Sequence, residues 1–312
     1  MAEKRTDASL KGTPGGLVVV DKPAGFTSHD VVAKLRGMAR TRRVGHAGTL
    51  DPMATGVLVL GVERATKLLG HLALVEKEYL ATVRLGQSTV TEDAEGELTG
   101  AEGARGLDED AVRTAVEKLT GEILQIPSKV SAVKVDGKRA YARVREGEAV
   151  ELAPRPATVS VFEVLSSHEE TAADGTPVTD LVVRVECSSG TYVRALARDL
   201  GEDLGTGGHL TALRRTRVGP YGLSGAHTLE QLQACVDEGR ELPVLPVGEA
   251  AAAAFRRWDV DAEQARLLGN GAQLRMPEEL GGATVAVFAP GGRFVALVER
   301  RQGRAKSLAV FV

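Results

Sequence analysis

Hydrophobic positions change period several times along the chain, and each change marks an expected element. Leu17 to Val20 is a short apolar run that stops at Asp21-Lys22-Pro23-Ala24-Gly25, which predicts a strand entering a turn. Thr27-Ser28-His29-Asp30 then offers a helix cap with an acid at the third position. Val31, Val32, Leu35 and Met38 follow on one helical face, with Lys34 and Arg36 off it. Val57 to Leu60 predicts a buried strand. Tyr79, Ala81, Val83 and Leu85 alternate with Leu80, Thr82 and Arg84, the period-two pattern of a half-exposed strand. Asp108 to Leu119 is amphipathic and helical. Leu181 to Glu186 predicts a strand, and Val193, Leu196, Ala197, Leu200 and Leu204 a helix after it.

Further on, His227 to Asp237 has helical spacing, and Leu242-Pro243-Val244-Leu245-Pro246 has the composition of a linker. Beyond the alanine run Ala250 to Ala254, Asp261 to Leu268 predicts a short helix stopped by Gly269-Asn270-Gly271. Three strands are expected at Thr284 to Phe288, Arg293 to Glu299 and Ser307 to Val312, the first two joined by Pro290-Gly291-Gly292. Strands and helices mix without regular βαβ alternation, so the fold class expected is α+β with a largely antiparallel sheet and a small β-rich appendage. The expected division is a loose tail at 1–14, a main domain at 15–247 and the appendage at 248–312.

Composition narrows the class. The chain is 43% hydrophobic and 26% charged, as a globular protein is, and no apolar run approaches the roughly 18 residues of a membrane span. The N-terminus is polar and lacks an apolar signal core. Two cysteines, Cys187 and Cys235, are too few for a disulfide framework or a cysteine metal site. A cytoplasmic protein is the simplest expectation. Net charge is −3, which by itself does not favour nucleic acid, but the distribution does. Lys129 to Arg145 holds six cations and one acid, Asp136. Smaller basic knots are Arg40-Thr41-Arg42-Arg43, Arg214-Arg215-Thr216-Arg217 and Arg300-Arg301. Any one of them reads as a solvated face; together they favour a polyanion partner.

Candidate chemistry concentrates in GHAGTLDPMATGVLVLG, Gly45 to Gly61. Pro52 pushes Asp51 toward an extended backbone, and Gly45, Gly48 and Gly56 allow sharp reversals. Asp51 is either an ordinary turn acid or a carboxylate held rigidly for work as nucleophile or base. The remaining histidines are scattered singly, so a metal is not expected, and the glycine spacing lacks a phosphate-loop ending. In Cys187-Ser188-Ser189-Gly190-Thr191-Tyr192-Val193-Arg194, Arg194 falls in the first turn of a helix, where a cation opposes the dipole by up to ~1 kcal/mol. A partly buried carboxylate partner would offset that cost. Tyr79 is either core or a stacking face for a planar base.

Read together, these segments resemble the bacterial TruB family of tRNA pseudouridine synthases. The resemblance rests on Asp21-Lys22-Pro23-x-Gly25-x-Thr27-Ser28, Gly45-His46-x-Gly48-x-Leu50-Asp51-Pro52-x-Ala54-x-Gly56 and Lys77-Glu78-Tyr79 with Leu85-Gly86. Ser131-Ala132-x-Lys134-x-x-Gly137-Lys138-Arg139-x-Tyr141-x-x-x-Arg145, Gly190-Thr191-Tyr192-x-Arg194 and His209-Leu210-x-x-Leu213-Arg214-Arg215 complete it. It runs from about Val18 to Val247, with a looser likeness of 248–312 to a PUA-type RNA-binding domain.

The resemblance implies conversion of uridine-55 in the tRNA T-arm to pseudouridine, by a monomer that needs no cofactor or metal. It implies that Asp51 is the catalytic aspartate and Arg194 its ion-pair partner. Tyr79 stacks on the target base and takes part in proton handling, and His46 enters the space vacated in the RNA stack. Tyr192 and Leu213 line the base pocket, Asp93 belongs to the electrostatic network, and Lys22 lies on the RNA side. Lys134, Lys138, Arg139 and Arg145 belong to a basic segment, about 125–150, that clasps the RNA. Ser128 and Val130 stand where the family often has a proline and an aromatic, and Val90 replaces an acid. The basic clusters suit a non-catalytic tRNA-folding chaperone equally well, and a nucleosidase releasing uracil is a third class; product analysis separates the three.

Overall fold

The computed structural model describes residues 10, 15–128, 134–135, 138–139 and 152–311. By Cα proximity the chain forms two compact units. One comprises Met1–Asp51, Gly56–Ala73 and Val218–Val312, the other Pro52–Thr55 and Leu74–Arg217. The chain passes from one unit to the other at Asp51–Pro52.

In the first unit the apolar run ahead of the turn forms the strand Gly16–Lys22. It pairs antiparallel with Thr55–Val62, which also pairs with Val44–Ala47. Both long strands are buried along nearly their whole length. The helix Ser28–Met38 begins in a full capping box: Thr27 accepts from Asp30 N–H, and Asp30 accepts from Thr27 N–H. Its buried residues Val31, Val32, Leu35 and Met38 are those with helical spacing in the sequence. Of the expected tail, only Leu10 is described; its N–H donates to Ala39 O at 3.0 Å.

The segment expected as a linker is partly a strand. Leu245–Pro246 pairs with Gly16 and Leu17, an edge position where Pro246 has no N–H to lose. The alanine run becomes the helix Val247–Ala254, and Tyr221 Oη donates to Ala250 O at 2.8 Å. A four-stranded sheet then follows in the order Arg256–Asp259, Val285–Phe288, Phe294–Arg301, Arg304–Val310. The first of these strands has no counterpart in the expected pattern; it pairs parallel to the second, and its residues are mostly exposed. The helix Ala262–Gly269 contributes Ala265 and Leu268 to the core of this sheet. Lys67 and Arg64 donate to the carbonyls of Val310 and Phe311. By Cα proximity 248–312 groups with the N-terminal strands.

In the second unit the strands run in the order Gly208–Val218, Lys77–Leu85, Pro177–Cys187, Arg155–Thr171, Gly121–Gln125. The last three pairings are antiparallel, and Tyr79 lies opposite Val185. Lys77–Leu85 alternates between buried and partly exposed positions, as its period-two pattern requires. Arg155–Thr171 has no counterpart in the expected pattern either. Two register shifts break its alternation, and its second half, Ser166-Ser167-His168-Glu169-Glu170, is polar and largely exposed. The helices Glu109–Lys118 and Val193–Asp203 stand where expected. The whole is α+β with an antiparallel-dominated sheet and a small C-terminal β region.

Candidate active site

In the first unit the loop before Asp51 is held by one hydroxyl. Ser28, the first residue of its helix and 1% exposed, donates through Oγ to Leu50 O at 3.2 Å and accepts from Leu50 N–H at 2.9 Å. Both backbone groups of the residue preceding Asp51 are therefore fixed to a capped helix. Gly48, at φ +81°, makes the reversal that brings the chain back, a conformation that favours glycine. Asp51 itself is half-buried. His46 lies on the strand Val44–Ala47 opposite Leu60, half-buried, with its ring edge-on to His29 at 5.4 Å between centroids.

Lys22 ends the strand Gly16–Lys22. It is fully buried, and its ammonium donates to Pro23 O at 2.9 Å and Phe26 O at 2.6 Å. It holds the turn Asp21–Phe26 together.

In the second unit Arg194 is 5% exposed. Its Nη1 donates to Thr91 O at 2.8 Å and Ser128 Oγ at 3.2 Å, and lies 3.5 Å from Asp93 Oδ2. Asp93 is itself buried; its Oδ1 accepts from Thr91 Oγ1 and from Glu95 N–H. One turn along the helix, Arg198 Nη1 donates to Glu92 Oε1 at 2.7 Å. Burial pushes the Glu92 carboxyl above its ordinary range, and the Arg198 charge opposes that rise. Glu92 adopts φ 62°, uncommon for a residue with a side chain. Tyr192, which precedes the helix, is bracketed by Gln125: its N–H donates to Oε1 at 2.8 Å and its carbonyl accepts from Nε2 at 3.0 Å. Glu92, Arg198, Gln125 and Ser128 were not among the expected residues. They are single polar residues whose role depends on partners some 65 to 105 positions away, so no local spacing announces them.

Tyr79 and Leu213 lie on neighbouring strands of the same sheet and are buried. Beside them Lys77 faces Cys187 across the antiparallel pair. Burial, then the charge of Arg215, brings the Lys77 ammonium down to about 8. Burial pushes the Cys187 thiol up to about 11, which makes it a poor nucleophile. The 214–217 knot turns out to be strand residues with structural partners. Arg215 is fully buried, Arg217 pairs with Glu186 at 2.8 Å, and Arg214 donates to Thr55 Oγ1 at 3.3 Å.

Of the basic segment, the backbone of Lys134–Val135 pairs antiparallel with Lys138–Arg139. Arg145 and the rest of 129–145 lie outside the described residues. Among the described residues, no three His, Cys, Asp or Glu side chains stand where they could share a metal ion. No described helix is long and apolar enough to cross a membrane.

A family model described as the N-terminal domain of TruB family pseudouridylate synthases matches residues 36–193, half of the chain. The chain belongs to the TruB family. Two further models, for a C-terminal domain of tRNA pseudouridylate synthase B and for the C-terminal part of tRNA pseudouridine synthase II, match 194–247 and 255–312. The tRNA pseudouridine synthase B of Streptomyces avermitilis is 68% identical over 96% of this chain and 98% of its own. That of Thermobifida fusca is 56% identical over 95% and 98%. Among solved structures, a crystal structure of a Cbf5-Nop10-Gar1 complex is similar over 95% of this chain and 85% of its own, at 25% identity and a TM-score of 0.71.

Against the TruB pattern, two departures acquire a structural account. Ser128, where a proline is common, is fully buried and accepts from Arg194. Val90 removes an acid from a loop that carries Glu92 instead, and Glu92 binds a cation of the Arg194 helix.

Proposed function

We propose that this TruB pseudouridine synthase converts uridine-55 of the tRNA T-arm to pseudouridine, with Asp51 as its nucleophile. Modification of tRNA is the family's activity, and it sets the requirements. The bond from sugar C1′ to uracil N1 must break, the base must turn, and a bond to C5 must form while the C5 hydrogen leaves as a proton and N1 takes one up. A base stacked in a folded loop cannot be attacked in place, so it is flipped into a pocket at a cost of a few kcal/mol. His46 fills the place it leaves. Tyr79 stacks on the uracil and handles the proton, and Tyr192 and Leu213 close the pocket. Asp51 either adds to the ring or stabilises the sugar cation, and Arg194 is proposed as its ion-pair partner.

The observation that carries this reading is the cradle of Arg194. A buried cation in the first turn of a helix opposes the dipole there, yet it is held by a backbone carbonyl, a hydroxyl and the Asp93 network. Such preorganisation suits a fixed guanidinium presented to an acid. Lys134, Lys138, Arg139 and Arg145 supply phosphate contacts, and 248–312 adds RNA-binding surface. Asp51→Asn is the test, assayed with protein and unmodified tRNA alone. Release of the C5 hydrogen to water and unchanged RNA mass define the product. Loss of product with binding retained is expected; product formation by Asp51→Asn removes Asp51 from the chemistry, and binding without product in the wild type leaves the chaperone reading.

A further inference from the structure

The basic knot at Arg40–Arg43 differs from the others. Arg36, Arg40, Arg42 and Arg43 surround a recess of about 670 Å³ in the first unit, closed on one side by Thr41 and Glu63. All four arginines are exposed. The helix Ser28–Met38 ends here, but its terminal carbonyls are already served: Ala39 N–H donates to Leu35 O, Arg40 N–H to Gly37 O and Thr41 N–H to Arg36 O. Favourable dipole compensation accounts for one cation in the last turn, not for four.

The backbone is shaped to the recess. Arg40 takes φ 50° and Glu63, across from it, φ 54°, both in the left-handed region that side chains avoid. Such outliers persist where the surrounding structure holds them, and they cluster at ligand sites. Here Thr41 does the holding. Its side chain turns inward, donates to the buried Glu63 carboxylate and accepts from Arg43 N–H at 3.2 Å. With Thr41 turned in, its neighbours Arg40 and Arg42 turn out. Glu63, 3.5 Å from Arg43, is the single acid of the lining, and Arg36 Nη2 donates to Val44 O at 3.0 Å. In the other small knots Arg217 pairs with Glu186, Arg300 with Glu278 and Arg301 with Glu299.

We infer that this recess is a binding site for backbone phosphates of the RNA substrate, apart from the basic segment at 129–145. Guanidinium forks match phosphate oxygens in shape as well as charge. The strand Val44–Ala47 starts directly after Arg43, so at ~3.3 Å per residue His46 lies about 10 Å further along. The recess therefore grips phosphates within a few nucleotides of the place His46 enters. Naming RNA as the polyanion rests on the function proposed above.

The test is the salt dependence of tRNA binding by the full chain and by the triple variant Arg40→Gln, Arg42→Gln, Arg43→Gln, with thermal melting as the check on folding. The slope of log affinity against log salt is expected to fall by about one unit for each phosphate that is no longer neutralised. The matching Lys triple variant is expected to keep the slope. An unchanged slope in the Gln variant overturns the site, and so does a slope reduced equally in the Lys variant, which would mark a distorted turn. Asp51→Asn separates the two readings. Product formed by that variant sinks the role of Asp51 and leaves the slope standing; an unchanged slope sinks the recess and leaves Asp51 standing.

Discussion

Nη1 of Arg194 reaches the carbonyl of Thr91 at 2.8 Å, across 103 residues of sequence. The residue after that carbonyl is Glu92, with its left-handed backbone and its side chain on Arg198. Arg194 and Arg198 are i, i+4 neighbours on one helix. Two guanidiniums thus lace the same three-residue loop to the same helix face, and the turn at Glu92 aims the Thr91 carbonyl at Arg194.

Glu92→Ala removes one acceptor of a largely buried cation, leaving Asp199 and the Ile126 carbonyl on Arg198. Loss of about 2–3 kcal/mol is expected, less than a fully buried pair would cost because Arg198 keeps 21% of its side chain exposed. The loop slackens and Arg194 loses its aim, so kcat falls while KM for tRNA changes little. Steady-state kinetics beside urea unfolding check this; lower stability with unchanged kcat would make the lacing purely structural.

Arg194→Lys keeps the charge and discards the fork. One ammonium cannot serve Thr91 O, Ser128 Oγ and Asp93 while also facing a substrate-side acid. A kcat loss of roughly 100-fold is expected, which is about 2.7 kcal/mol of barrier. Single-turnover rates on unmodified tRNA measure it, and a rate within a factor of about two of wild type would mean that charge alone suffices.

Ser28→Ala strips both hydrogen bonds from the Leu50 backbone, leaving buried polar groups unmatched at a cost of about 1–3 kcal/mol. The Asp51 loop then loses its tie to the helix. Reduced kcat with normal tRNA affinity is expected, and Ser28→Thr is expected to restore part of it by supplying a hydroxyl again.

Lys77→Met isolates a pH dependence. The folded lysine releases its proton near 8, whereas the unfolded one holds it to 10.5, so between those values the unfolded chain binds more protons. Stability from this group therefore rises with pH across that window and is lost as pH falls through about 8. Cys187 works in the opposite sense from 9.0 to about 11, because its thiol ionises first in the unfolded chain. The difference in unfolding free energy between wild type and Lys77→Met removes most of the thiol contribution. It is expected to shift toward the wild type as pH rises from 8 to 10.5, and a flat difference would show that Lys77 is not desolvated.

Much of the fold was legible because its signals are local. The capping box at Thr27–Asp30, the helical face of Val31, Val32, Leu35 and Met38 and the alternation from Tyr79 to Leu85 are each set within a turn or a pleat. The strand Arg155–Thr171 was not legible, because bulges interrupt its period and its outer half is polar. Nor was the pairing of Leu245–Pro246, whose prolines read as linker while Gly16 and Leu17 supply the partner backbone.

The candidate site divides in the same way. The motifs around His46, Asp51, Tyr79 and Arg194 are dense enough in sequence to mark the family. Tertiary structure decided what holds them: Ser28 on the Leu50 backbone, the loop of Thr91 and Asp93 around Arg194, and Lys22 turned inward as a clamp. Those partners, Lys22 apart, are brought together from tens to a hundred residues away, and burial fixes their direction. Spacing along a chain encodes which face a side chain takes, but not which distant group it will meet there.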